Sequence, residues 1–98
     1  MIDYTELQST ILRIQQMEEY MDRILNALSS CPDSIYELEQ IREMISILTD
    51  YYDNGQWLKD YDLDSKGELP PDLKRGVLSQ DALYNLLCDV KELQADNE

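Results

Sequence analysis

The chain has 98 residues, enough for one domain, and 43% of them are hydrophobic, which permits a small core. Its net charge of -13 disfavours direct binding to nucleic-acid phosphates and to anionic membranes, because like charges repel. Histidine is absent and there are two cysteines, which excludes Ser-His and Cys-His catalytic pairs and a four-ligand zinc site of these residues. We therefore expect a protein that is not an enzyme and binds no cofactor.

We expect neither an export signal nor a membrane-spanning segment in this chain. The start, MIDYTELQSTIL, lacks a basic region followed by an apolar run, so we do not expect a signal peptide. No apolar run approaches the roughly 18 residues of a membrane span. We predict a cytoplasmic protein in which Cys31 and Cys88 are reduced thiols.

The first predicted helix covers about residues 3–28. Its apolar residues recur in steps of three, four or seven, as in a heptad seam: Tyr4, Leu7, Ile11, Ile14, Met21, Leu25 and Leu28. Glu18 falls in a seam position, so the seam skips one slot there. The spacing predicts that Leu25 lies in the core.

The second predicted helix covers about residues 35–53, after a break at Pro32. Its predicted seam is Leu38, Ile41, Ile45, Leu48 and Tyr52. A second apolar row widens this face: Met44, Ile47 and Tyr51. The Asn54-Gly55 pair predicts the end of the helix, since both residues tolerate the left-handed conformation.

The third predicted helix covers about residues 79–93, with Ser79 as its N-cap. Between the second and third helices we predict a structured loop over residues 54–78, with a short helical turn at residues 56–61. An apolar residue about every four positions indicates that this loop packs down. The fold class is therefore all-α: one domain, residues 1–98, with a long antiparallel helical hairpin, a third C-terminal helix and an ordered loop capping one end of the three-helix bundle.

The predicted loop also holds the densest group of aromatic and charged residues. Tryptophan and tyrosine commonly anchor protein interfaces. We predict a buried Trp57 that supports a charged rim, and a non-catalytic protein–protein interaction through this end of the molecule. The candidate interaction residues are Trp57, Tyr61, Asp62, Asp64, Lys74 and Arg75.

Two alternative functions remain open at the level of sequence. Asp60, Asp62 and Asp64 precede Gly67 in a pattern that partly resembles a calcium loop, which would make a Ca or Mg site, but Lys66 and Leu73 occupy ligand positions. Alternatively, the acidic chain imitates nucleic acid and inhibits a DNA- or RNA-binding protein. Under either protein-binding function the partner is an unidentified protein, and the acidic charge of the chain permits a basic one. A homodimer along the first or second helix is also permitted, although the net charge opposes it at low salt.

The second half of the chain resembles a known family. Residues 51–87 read YYDNGQWLKDYDLDSKGELPPDLKRGVLSQDALYNLL. They match a pattern of two tyrosines, a glycine turn, a tryptophan, an acidic stretch and LP-x-DLKRGVLS-x-D-x-LY-x-LL. This pattern is similar to that of bacterial domain-of-unknown-function family 4298, which consists of small acidic proteins, mostly from Firmicutes. The resemblance implies a helical cytoplasmic protein and implies no activity.

Overall fold

A computed structural model describes residues 3–30 and 39–96, and this part of the chain contains helices and no strand. Its four α-helices are α1 (Tyr4–Ser30), α2 (Glu39–Asp53), α3 (Gln56–Ser65) and α4 (Gln80–Asp96). A 3₁₀ helix, η1 (Gly76–Leu78), precedes α4. The all-α class predicted from the periodicity is confirmed.

Helix α1 begins where Asp3 caps it. The Asp3 carboxylate accepts a hydrogen bond from the Glu6 amide at 2.8 Å, and its carbonyl accepts one from the Leu7 amide at 2.9 Å. An N-cap aspartate satisfies amides that have no partner within the helix and favours the positive end of the helix dipole. The helix then continues without interruption to Ser30, two residues beyond the predicted end.

The predicted core position of Leu25 is wrong. Leu25 is 42% exposed, whereas Ile24 is completely buried. Ile14 and Met21 are buried and lie seven residues apart. In a heptad pattern, the next core position after Met21 lies either three or four residues further along the chain. In α1 the core takes the position three residues on, which is Ile24 after Met21, and leaves Leu25 at the edge.

Helix α2 buries one face assembled from both predicted apolar rows, with Ile41, Met44, Leu48 and Tyr51 inside. It ends at Asp53, as the Asn54-Gly55 pair predicted, and Gly55 adopts a φ of 91° that favours glycine. Residues 35–38 of the predicted helix lie outside the described residues, as do Cys31 and Pro32.

The prediction of a loop over residues 54–78 is wrong in its first half, where residues 56–65 form helix α3. The helix runs for ten residues, well past the short turn predicted at residues 56–61. Its buried positions are Trp57 and Asp60, so the inner face includes a carboxylate that a hydrophobic pattern does not count. Gly67, with φ 73°, ends the helix: its amide donates to the Asp64 carbonyl at 3.0 Å, in a Schellman arrangement.

The segment that follows α3 packs onto the core, as predicted. Its buried apolar residues are Leu69, Leu73, Val77 and Leu78. Helix α4 adds Leu83, Leu86, Leu87 and Val90 to the same cluster and continues to Asp96, three residues beyond the predicted end. At the start of α4, the Ala82 amide lies 3.5 Å from Ser79 Oγ, the position expected of an N-cap side chain.

We expect Leu48→Ala to lower the free energy of unfolding by about 2–5 kcal/mol, because Leu48 is completely buried and its removal leaves a cavity. Leu25→Ala should cost less than about 1 kcal/mol, since Leu25 is at the surface. Urea unfolding followed by far-UV circular dichroism measures both changes. Equal costs for the two variants would contradict the assignment of the α1 core face.

Candidate functional site

The buried carboxylate of Asp60 is the centre of a polar network that joins three helices. Arg13 of α1 donates to it twice, from Nε to Oδ2 at 2.9 Å and from Nη2 to Oδ1 at 2.7 Å. The Tyr51 hydroxyl donates to Oδ2 at 2.6 Å, and Gln56 Nε2 donates to Oδ1 at 3.2 Å. Arg13 Nη2 also donates to Thr10 Oγ1 at 3.2 Å. Both carboxylate oxygens are thus fully engaged, as a buried charge requires.

The network changes the titration of its members. Hydrogen bonding to Asp60 raises the pKa of Arg13, which remains a cation. Burial, and then the hydrogen bond to Asp60, raises the pKa of Tyr51 far above its ordinary value of 10.0. The phenol therefore stays protonated and continues to donate its hydrogen bond well into the alkaline range.

We expect Tyr51 to make the fold sensitive to alkali. Because its pKa is raised in the folded state, its contribution to stability is complete below about pH 10, the pKa of an unfolded tyrosine, and falls above it. Tyr51→Phe lacks this ionisation, so the stability difference between the parent and Tyr51→Phe should shrink as the pH rises above about 10. Urea unfolding of both proteins at several pH values measures this, and a constant difference would contradict it.

An open groove of about 620 Å³ lies beside the network, between the first half of α1 and α3. Arg13 and Asp60 both line it, together with Lys59, Asp62 and Lys66. Lys66 Nζ pairs with Asp62 Oδ2 at 2.8 Å. The remaining lining residues are mostly polar: Thr5, Glu6, Ser9, Thr10, Gln56, Leu63 and Glu68. The groove therefore presents hydroxyls and charges of both signs over a fixed ion pair.

Trp57 fixes α3 to the segment that leads into α4. Its indole Nε1 donates to the Val77 carbonyl at 2.8 Å, and only 6% of the residue is exposed. The rings of Tyr52 and Tyr61 lie on it, with centroids 5.3 and 5.2 Å away. The predicted burial of Trp57 is confirmed, and Trp57 and Tyr61 support the surface without forming an exposed anchor.

Glu18 ties the same segment to α1. Its Oε2 accepts a hydrogen bond from the Val77 amide at 2.7 Å. Gly76 permits this approach, because a Cβ atom at that position would lie 2.7 Å from Glu18 Oε1. The residue that the heptad seam skips is therefore the one that anchors η1.

Arg75, predicted as part of the charged rim, is partly exposed, and its guanidinium binds groups of its own chain. Its Nη2 donates to the Pro70 carbonyl at 2.8 Å and its Nη1 to the Pro71 carbonyl at 3.3 Å. Its Nε lies 2.9 Å from Asp64 Oδ1, and the N–H does not point at that oxygen, so the contact is an ion pair without a hydrogen bond. Of the predicted charged rim, Asp62 and Lys74 are exposed.

The three aspartates considered for a metal site do not converge. They lie on α3, where neighbours two residues apart point about 200° apart. Each pairs with a different cation: Asp60 with Arg13, Asp62 with Lys66 and Asp64 with Arg75. Within residues 3–30 and 39–96, no group of three or more His, Cys, Asp or Glu side chains is placed to hold a metal ion.

The comparisons with known proteins agree with the resemblance seen in residues 51–87. A family model described as "Domain of unknown function (DUF4298)" matches residues 14–97. The matched range contains Glu18, Tyr51, Trp57 and Asp60, whereas Arg13 lies one residue before it. No curated protein and no solved structure matches the chain. None of the helices among the described residues has both the length and the apolar character needed to cross a membrane.

Proposed function

The chain belongs to the DUF4298 family, and we propose that it is a non-catalytic protein–protein interaction module. The binding surface in this proposal is the outer face of α3 together with the adjoining groove. Family membership supplies no activity, so the proposal depends on the residues of this chain alone.

The exposed side chain of Leu58 is the observation that carries the proposal. Leu58 is 62% exposed, although it directly follows Trp57, which is 6% exposed, on the same short helix. Lys59 and Asp62 are exposed beside it. An exposed apolar residue flanked by charges on a rigid element is a common arrangement at protein interfaces, with an apolar centre and a polar rim.

The contacts made by the inner face of α3 support this role, because they fix the position of the outer face. Trp57 is bound to Val77 and Asp60 is bound to Arg13, so α3 is attached to two separate parts of the molecule. A preorganised surface binds with a smaller entropic cost than a mobile one. The segment from α3 to η1 therefore serves as a scaffold for recognition.

The chemistry of the site favours binding over catalysis. Asp60, the buried carboxylate nearest the groove, has both oxygens occupied by Arg13, Tyr51 and Gln56. It is therefore poorly placed to take a proton from a substrate. The chain has no histidine to act in its place.

We place the protein in the cytoplasm, where its partner is a protein with basic groups that face Asp62.

The proposal takes α1 and α2 to be the arms of an antiparallel hairpin, with α4 as the third helix and α3 at one end. Two sets of contacts support this arrangement. Arg13, early in α1, and Tyr51, late in α2, both bind Asp60. A second groove of about 360 Å³ is lined by Tyr20, late in α1, and Gln40, early in α2.

A photo-crosslinking experiment tests the proposed surface. A photoreactive amino acid replaces Leu58 in the tagged chain, which is expressed in the cells that naturally produce it and irradiated. We expect one dominant adduct with another protein. The control has the same amino acid at Leu25, which is 42% exposed and lies on α1. Absence of an adduct at position 58, or the same adduct at position 25, would contradict the proposal.

Salt dependence separates an interaction module from an acidic mimic of nucleic acid. A complex with an apolar contact at Leu58 should persist as ionic strength rises, because salt screens charges and not apolar contacts. A partner bound through carboxylates that replace phosphates should dissociate steeply over the same range. Once crosslinking has identified the partner, its capture by the parent chain without irradiation, at low and at high salt, distinguishes the two.

A further inference from the structure

The side of α1 that faces away from the core forms an almost uncharged surface, which we call the α1 outer ridge. At 3.6 residues per turn, nine exposed residues up to Asn26 lie within about 60° of the direction of Leu12. They are Thr5, Gln8, Ser9, Leu12, Gln15, Gln16, Glu19, Arg23 and Asn26. Leu12 is 65% exposed and is the apolar member of the ridge.

The charges on this ridge cancel. Glu19 and Arg23 are its charged members, and Arg23 Nη2 donates to Glu19 Oε1 at 2.8 Å. The ridge therefore has no net charge in a chain whose net charge is -13. Two copies of this chain repel one another through their other surfaces, and the repulsion is least where these ridges meet.

We propose that the α1 outer ridge is the surface on which two copies of this chain associate, with their α1 helices antiparallel and Leu12 on the twofold axis. In a twofold interface the same patch is used by both copies, and a residue on the axis meets its own equivalent. Leu12 is then buried against Leu12 of the second copy, which removes the apolar residue of the ridge from water.

The residues on either side of Leu12 suit this register. When Leu12 lies on the axis, Gln8 lies beside Gln15 of the second copy and Ser9 lies beside Gln16 of the second copy, because the twofold axis keeps each residue on its own side of the contact. A glutamine amide both donates and accepts hydrogen bonds, so glutamines pair with each other and with serine without opposite charges. The ridge is thus complementary to itself.

The charge distribution favours a second copy over the basic partner considered above. A basic protein is attracted to the acidic surfaces of the chain and gains no such attraction on a neutral ridge. With Leu12 on the axis, the two α1 helices overlap over residues 4–20, about 25 Å at 1.5 Å per residue. A contact along one such helix falls in the size class of weak, transient complexes, below about 1,200 Å². The dimer should tighten as salt screens the net charge.

Sedimentation equilibrium of the full chain, up to about 1 mM, the range of weak complexes, tests the association at low and high salt. We expect a reversible dimer that is more populated at high salt. Leu12→Glu should raise the dissociation constant at least about tenfold, because two carboxylates then face each other on the axis. Leu25→Glu is the matched control, on the same helix but off the ridge, and should leave the dissociation constant unchanged. Circular dichroism checks that both variants are folded.

Cysteine crosslinking tests the register. In a chain with Cys31→Ser and Cys88→Ser, Leu12→Cys should form a disulfide-linked dimer on oxidation, because its Cα atoms must approach within about 7 Å. Leu25→Cys should not. A monomer at every concentration and salt, equal effects at positions 12 and 25, or a different protein captured by the ridge would each overturn the proposal. These measurements involve neither Leu58 nor α3, so their failure is separate from a failure of the proposed function.

Discussion

Replacement of Arg13 by Met should lower the free energy of unfolding by about 3–5 kcal/mol. Asp60 is completely buried, and Arg13 supplies two of the four hydrogen bonds that its carboxylate accepts. Methionine retains much of the aliphatic volume of arginine and removes the positive charge. The variant therefore leaves an uncompensated buried carboxylate, which is the costly half of a broken ion pair. Urea unfolding of the parent and the variant measures the difference.

The Asp60→Asn variant provides the control, since it removes the buried negative charge and keeps the shape of the side chain. It should cost less than Arg13→Met, because the Arg13 side chain is 28% exposed and can be hydrated when its partner is neutral. Adding Asp60→Asn to Arg13→Met should restore part of the lost stability. A cost below about 1 kcal/mol for Arg13→Met alone would place the pair among surface salt bridges and contradict the network.

Replacement of Trp57 by Ala should also cost about 3–5 kcal/mol, the range for removal of a buried tryptophan. The indole packs against the rings of Tyr52 and Tyr61 and is nearly inaccessible to solvent. Its loss should loosen α3 and η1 together, because the hydrogen bond from Nε1 to the Val77 carbonyl links them. Urea unfolding with the near-UV circular dichroism of the tyrosines reports both stability and local packing.

Trp57→Phe separates the two contributions of this residue. Phenylalanine keeps an aromatic ring in the cluster and cannot donate to the Val77 carbonyl. An unsatisfied buried acceptor costs about 1–3 kcal/mol, so this variant should be intermediate between the parent and Trp57→Ala. If Trp57→Phe and Trp57→Ala were equally stable, the packing of the ring would contribute nothing beyond the hydrogen bond.

Sequence periodicity was sufficient for the elements whose buried face is apolar. The 3.6-residue spacing locates α1, α2 and α4, and the Asn54-Gly55 pair gives the end of α2. Periodicity is insufficient where either of two adjacent apolar residues could occupy the same core position. Ile24 and Leu25 are adjacent apolar residues, and only the packing of neighbouring helices decides that Ile24 is inside.

The candidate site was only partly accessible from the sequence, because its strongest contacts join distant residues. Arg13 and Asp60 are 47 positions apart, and Glu18 and Val77 are 59 apart. A charged residue on a predicted helix is normally expected to face solvent. For this reason the buried Asp60 obscures the inner face of α3 in the sequence, and Glu18 is taken for a missing position in the apolar seam of α1. One signal of the Glu18 contact was present in the sequence: Glu18 stands at a seam position, and such positions face the core and not the solvent.

The anchoring of residues 56–78 onto α1 is the central claim, and amide hydrogen exchange measured by NMR tests it most directly. The Val77 amide donates to the Glu18 carboxylate, and the Trp57 indole donates to the Val77 carbonyl. Both N–H groups should be strongly protected in the native protein, because they exchange only when the segment opens. Glu18→Ala should reduce the protection of the Val77 amide more than that of amides in the middle of α2. Exchange of both groups in the parent protein at the rate of an unstructured peptide would contradict the account.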